Sequence, residues 1–151
     1  MSSQVSGLQV SRLPMGDARV RTAGYSLLRE LRPDLTAAGF DQLLAEGPRQ
    51  GLTVLLARDA RDELVGAALY RVLATSRGRI RFVDDLVTAA AARSTGVGGA
   101  LFDELELRGW VEGCVRIELD SGVTNQAAHR FYHGRRMGTI ALHFGKPLEA
   151  P

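Results

Sequence analysis

Between residues 52 and 88 three strand-like runs follow one another with only a few turn residues between them, and this feature constrains the fold more than any other. The runs are 52–58, 64–74 and 79–88, separated by turn material at 59–62 and 76–78. Connections that short join antiparallel neighbours, because a parallel return needs a crossover of a dozen or more residues. After residue 88 the pattern changes to a glycine-rich turn, helical spacing over 96–109 and a further strand at 115–119. That stretch is long enough for a crossover, so strands 79–88 and 115–119 are predicted to be parallel. A chain patterned this way builds one mixed sheet, mostly antiparallel.

The flanking segments supply the helices that cover such a sheet. Residues 8–13 alternate apolar and polar side chains as a half-buried strand does. Helical spacing over 17–31 brings Val20, Tyr25, Leu27, Leu28 and Leu31 together, with Asp17 available as N-cap and Pro33 as a stop. A second helix is expected over 36–46, where Phe40, Leu43 and Leu44 share a face and Gly47-Pro48 closes it. A short helix over 125–133 and a final strand over 139–144 complete the order β-α-α-β-β-β-α-β-α-β, an α/β (α+β) fold with helices flanking the sheet.

At 151 residues, 45% hydrophobic and 24% charged, the chain has the apolar content for one packed core, so a single domain is expected over 8–151 with 1–7 as a disordered N-terminus. A formal charge of +2 is too small a field to favour nucleic acid. No stretch of about 18 consecutive apolar residues exists, so no membrane insertion is indicated and a cytoplasmic location is expected. Cys114 has no partner for a disulfide and reads as a buried strand thiol. His129, His133 and His143 lack carboxylate or cysteine companions at ligand spacing, so no metal site is expected.

Chemistry enters at Arg93-Ser94-Thr95-Gly96-Val97-Gly98-Gly99, where a strand gives way to a helix. Glycines let backbone amides approach a ligand closely, and the first helical turn leaves its N–H groups unpaired beside partial positive charge. Such a turn suits a pyrophosphate. It is not a Walker loop, because no Gly-Lys-Ser/Thr follows, and Gly96, Gly98 and Gly99 do not have G-x-G-x-x-G spacing.

The run Arg93-Ser94-Thr95-Gly96-Val97-Gly98 resembles the signature of the GCN5-related N-acetyltransferase (GNAT) family: Arg or Gln, two residues, Gly, one residue, Gly or Ala. Further on, Asn125 followed by Ala128 and then Phe131-Tyr132 is similar to that family's later motif. The order of elements from Leu8 to Phe144 also matches the family's fold, so the resemblance covers nearly the whole chain. Two departures stand out. Arg136-Met137 occupies the place where the family has Gly-Phe, and Ala89 to Ala92 replace the prolines and acidic residues common before the loop.

The resemblance implies an N-acetyltransferase that moves an acetyl group from acetyl-CoA directly to a primary amine of a small molecule or a protein. Leu86, Val87 and Thr88 would pair through their backbone with the pantetheine arm, with an oxyanion donor among the backbone amides near Val87. Backbone amides from Ser94 through Thr95, Gly96, Val97, Gly98 and Gly99 would hold the pyrophosphate, and Arg93 would either pair with a phosphate or cap the loop. Asn125 and Ala128 would contact CoA, with Asn125 equally suited to capping its helix. Tyr132 is the candidate general acid for the departing thiolate.

An ammonium has no lone pair, so some base must take its proton. Asp84 and Asp85 are adjacent on a strand, and alternation is expected to send them to opposite faces, Asp84 sharing parity with Leu86 and Thr88. Asp84 is the preferred base; either carboxylate could instead pair with Arg79 or Arg81. Dimerisation is common in the resembling family. A domain that binds acyl-CoA without turnover, as a sensor or interaction module, is the alternative reading.

Overall fold

A computed structural model describes residues 7–150, so the expectation of disorder over 1–7 lies, Gly7 aside, outside the described residues. The chain divides into two compact units, Met1–Glu118 and Leu119–Pro151.

The sheet runs in the order β1 (Gln9–Leu13), β2 (Thr53–Arg58), β3 (Leu64–Thr75), β4 (Gly78–Thr88), β5 (Arg116–Leu119). β1 to β4 pair antiparallel, as the short connections require. The expected first helix is instead a π-helical turn over Val20–Gly24 that leads into α1 (Tyr25–Leu31). Ahead of it Asp17 accepts from the backbone N–H and the guanidinium of Arg19, and the side-chain hydrogen bond from Arg19 holds the Asp17 carboxyl down at about 2.

Thr36 caps α2 (Ala37–Glu46), its hydroxyl accepting from the Gly39 N–H at 3.0 Å, and a 3-10 turn over Gly47–Gln50 follows. Gly51 leaves that turn at φ 78°, a left-handed conformation that favours glycine.

Alternation divides the sheet's side chains between two layers. Val54, Leu56, Ala67, Leu69 and Val87 pack with Val20, Leu27, Leu28, Phe40 and Leu44 from the N-terminal helices. Leu55, Ala57, Ala68 and Tyr70 point the other way, towards α3 (Val97–Val111), which buries Val97, Leu101, Phe102 and Leu105. The N–H of Val115 donates to the carbonyl of Arg79 at 2.8 Å just before β5 begins. Cys114 is not inside a buried strand: it precedes β5, is half-buried, and its N–H closes onto the Gly109 carbonyl at the end of α3.

Two features of the second unit differ from or refine the sequence reading. α4 (Gln126–Gly134) forms as expected. The strand expected over 139–144 does not: no strand is assigned there, and Ile140, Leu142 and Phe144 are exposed. Alternation tells which face a strand would bury, but a strand exists only where a neighbouring backbone supplies its hydrogen bonds, and 139–144 has none assigned. Among the described residues, no helix is long and apolar enough to cross a membrane.

Candidate active site

A one-residue bulge in β4 organises the chemistry of the first unit. Leu69 of β3 stands opposite Asp85 and Tyr70 stands opposite Val83, so Asp84 is left without a partner in the ladder. The extra residue shifts the alternation. Val87 packs with the N-terminal helices, whereas Val83 stands opposite Tyr70, on the α3 side, although both positions are odd.

This overturns two sequence expectations. Asp84 and Asp85 do not point to opposite faces, and Asp84 does not share a face with Leu86, which stands opposite Ala68 on the α3 side. Both carboxylates lie on the face of the N-terminal helices. The Nε of Arg71, which shares the side of Leu69, donates to both oxygens of Asp84 at 3.1 Å. Arg32, at the end of α1, donates through Nε to Asp85 at 3.0 Å. Neither carboxylate pairs with Arg79 or Arg81, which turn instead to the Glu112 carbonyl and the Glu112 carboxylate.

Burial pushes the Asp84 carboxyl above its ordinary value, and the Arg71 hydrogen bond opposes this. The neighbouring Asp85 charge adds to the rise. A half-buried carboxylate poised in this way accepts a proton more readily than one in water. The Arg71 side chain also donates through NH1 to Gln50 at 3.0 Å. Arg71, Arg32 and Gln50 were not singled out in the sequence. The one usable signal was an arginine, Arg71, inside an otherwise apolar strand.

Beyond the bulge, β4 continues through Leu86, Val87 and Thr88, which stand opposite Ala68, Ala67 and Gly66 of β3. β5 begins next to Arg79 and has only four residues, so whichever way it runs it does not reach the Leu86–Thr88 end of β4. That end of β4 therefore has no assigned strand on its outer edge, and its backbone groups there are suited to pairing with an added extended chain.

The chain then passes through a 3-10 turn, Ala90–Ala92, into the glycine loop. Thr95 Oγ1 donates to the Ala92 carbonyl at 2.6 Å, Ser94 has φ 62° and Gly96 has φ 92°. Gly96 is the N-cap of α3 and supplies no side-chain cap, so a 15-residue helix begins with the backbone N–H groups of Val97 and Gly98 uncapped by a side chain. Val97 is buried, while Ser94, Thr95 and Gly96 are exposed. Arg93 does not fold over the loop: its guanidinium is 3.9 Å from Glu30, whose carboxylate also accepts from the Ala90 N–H at 2.8 Å.

Gly66 couples this loop to the sheet. A Cβ there would lie 2.6 Å from Val97 Cγ1, 3.0 Å from Leu101 Cδ1 and 3.2 Å from the Val87 carbonyl oxygen. Gly66→Val is expected to push the first turn of α3 off β3 and β4 and to destabilise the fold by about 1–3 kcal/mol, which urea unfolding would measure. Unchanged unfolding in that variant would mean that the helix start is free to shift.

In the second unit Asn125 acts as a helix cap, its Oδ1 accepting from the Ala128 N–H at 3.2 Å. Tyr132 packs edge-on against Phe131 with ring centroids 5.4 Å apart. Burial pushes its phenol above the ordinary value, so it is protonated at neutral pH. His129 Nε2 lies 2.9 Å from the Gly122 carbonyl and His133 Nδ1 lies 3.1 Å from the Met137 carbonyl, so one nitrogen of each ring is engaged by local backbone. His143 pairs with Asp120 at 3.1 Å.

A bulged central strand, a strand end open on its outer edge and a glycine-led helix with no side-chain cap stand in one order along the chain, and the model of the Acetyltransferase (GNAT) family matches residues 20–138. The chain belongs to the GNAT acetyltransferase family. An uncharacterized N-acetyltransferase, YhdJ, of Bacillus subtilis (strain 168) is 31% identical over 127 residues, covering 82% of this chain and 89% of that protein.

Solved structures show the same fold. An aminoglycoside acetyltransferase, meta-AAC0020, from an uncultured soil metagenomic sample superposes with a TM-score of 0.81 at 16% identity, covering 94% of this chain and 97% of that one. The aminoglycoside N-acetyltransferase AAC(6')-Iy, in complex with CoA, gives a TM-score of 0.76 at 15% identity, covering 93% of this chain and 94% of that one. For this GNAT member the mostly antiparallel sheet with flanking helices is thus the family's architecture.

Proposed function

We propose that this GNAT member transfers an acetyl group from acetyl-CoA to a primary amine, with residues 8–151 working as one acetyltransferase domain. The observation that carries the reading is the continuous run from bulge to a strand end open on its outer edge to glycine-led helix start, within a chain of this family. In this reading the backbone of Leu86, Val87 and Thr88 pairs with the pantetheine arm. The amides from Ser94 to Gly99 hold the pyrophosphate against the positive end of α3. Arg93, exposed and only 3.9 Å from Glu30, is free to swing to a phosphate once that weak ion pair opens. Asn125 and Ala128 form the cap of α4 and would contact CoA from there.

The reaction needs no covalent enzyme intermediate. The ammonium of the acceptor gives its proton to Asp84, and the amine nitrogen attacks the thioester carbonyl to form a C–N bond. The oxyanion that develops is stabilised by a backbone amide near Val87. The tetrahedral adduct then breaks its C–S bond, Tyr132, protonated at neutral pH, donates its proton to the leaving thiolate, and the nitrogen gives its remaining extra proton to solvent, from which Tyr132 is reprotonated. Holding donor and acceptor together supplies much of the rate. An amine acceptor is in keeping with the related folds: one is an aminoglycoside acetyltransferase in complex with sisomicin, another a glucosamine-6-phosphate N-acetyltransferase from Arabidopsis thaliana.

Calorimetry with acetyl-CoA and release of free thiol against a panel of amines test the proposal. Binding together with amine-dependent thiol release is the expected outcome, and absence of affinity for acetyl-CoA would refute it. Tyr132→Phe is expected to lower kcat by about 10²-fold or more without weakening acetyl-CoA binding. A fall in affinity equal to the fall in rate would instead make Tyr132 a packing residue.

A further inference from the structure

The side chain facing Asp84 from the neighbouring strand is an arginine that itself has a second anchor. Arg71 sits on β3 between buried Tyr70 and half-buried Val72. Its Nε donates to Oδ1 and Oδ2 of Asp84, both at 3.1 Å, and its NH1 donates to Gln50 Oε1 at 3.0 Å. Gln50 ends the 3-10 turn and is fixed by Gly51, whose N–H donates to the Pro48 carbonyl at 3.1 Å. The result is a chain of contacts, Gln50 to Arg71 to Asp84, that runs from the helical layer to the bulge.

We infer that Arg71 is a positioning residue for the transfer reaction, holding the Asp84 carboxylate at the bulge while Gln50 holds Arg71. The inference rests on the reading of Asp84 as the base. A single N–H shared by both oxygens sets the plane of the carboxylate and leaves each oxygen with lone pairs for an incoming proton. A bulged residue lacks the ladder partner that would otherwise fix it, so an external anchor has more to do here than in a regular strand.

The charges around Asp84 also give Arg71 a chemical effect. Facing it are Asp85 on its own strand, Arg71 on β3, and, through Asp85, Arg32 at the end of α1. Burial and the Asp85 charge favour the protonated acid; Arg71 is the larger influence favouring the carboxylate, with a smaller one from a backbone hydrogen bond at Asp84 itself. Without Arg71, Asp84 would hold its proton to higher pH and so act as a base over a narrower range.

The test compares wild type, Arg71→Gln, Arg71→Lys and Gln50→Leu by the pH dependence of kcat/KM for one amine acceptor. In parallel, a ¹³C-carboxyl titration of Asp84 in the ligand-free protein is followed by NMR. Arg71→Gln is expected to move the acid limb and the Asp84 titration upward by about one pH unit or more. Gln50→Leu should move both less, and Arg71→Lys should restore most of the wild-type position. Acetyl-CoA affinity by calorimetry should stay within about twofold, since no cofactor-holding group changes. An Asp84 titration that does not move in folded Arg71→Gln overturns the inference, whether or not the wild type turns over. Failure of the wild type to bind acetyl-CoA would defeat the functional reading separately.

Discussion

Asp84→Asn is expected to lower kcat/KM for an amine acceptor by about 10²–10⁴-fold, the range that a positioned general base contributes, while acetyl-CoA binds as before. An amide oxygen keeps the geometry and can still accept from Arg71, but it cannot take a proton at neutral pH. Affinity is spared because Asp84 is not among the proposed cofactor contacts. The sign of the accompanying pH dependence follows from the buried carboxyl. Its value is raised, so wild-type kcat/KM falls as pH drops through a point above 3.8, where an unperturbed aspartate would set it. In Asp84→Asn that acid limb disappears. A pH profile that keeps its limb in the variant would show that another group takes the proton.

The second large effect concerns stability. Arg81 is wholly buried, yet among the described residues its only hydrogen-bonded carboxylate is Glu112, 2.6 Å from its NH2. Among the described residues its Nε and NH1 have no hydrogen-bond partner, and its guanidinium lies 4.3 Å from the centre of the Tyr70 ring. Gly109 of α3 lies beside it, where a Cβ would stand in ordinary contact, 3.4 Å from Arg81 Nε.

Removing one partner of a buried pair leaves a charge that nothing compensates, and Glu112→Ala is expected to destabilise the fold by about 3 kcal/mol. Against a typical total of about 5–15 kcal/mol this is a large fraction. Arg81→Met should cost less than Glu112→Ala, because it removes the buried charge and leaves a glutamate that is 32% exposed and can turn to water. Chemical denaturation of both variants checks the order. The reverse order would mean that the guanidinium's stacking on Tyr70 outweighs the electrostatics.

Much of the layout was legible because it follows from local pattern. Alternation and short turns placed β2, β3 and β4 within a residue or two of their observed ends, and the glycine run marked the start of α3. The helix expected over 17–31 contains α1, but the π-helical turn over Val20–Gly24 was not foreseen, since the apolar spacing of a π turn within a helix differs too little to read. The segment 139–144 shows the opposite failure: its alternation is clear, yet no strand is assigned, because pattern alone supplies no partner backbone.

The family and the glycine loop were therefore written in the order of residues along the chain, where spacing of glycines and strands is a local property. Which carboxylates meet, and what neutralises them, was decided only in three dimensions. One extra residue at Asp84 moves β4 out of the two-residue alternation on which every side-chain direction in a strand depends. Asp84 and Asp85 thereby come to one face, beside Arg71, 13 residues from Asp84 in the chain, and Arg32, 53 residues from Asp85. Contacts between residues that far apart depend on how strands register and helices dock, and no periodicity in a single segment encodes them.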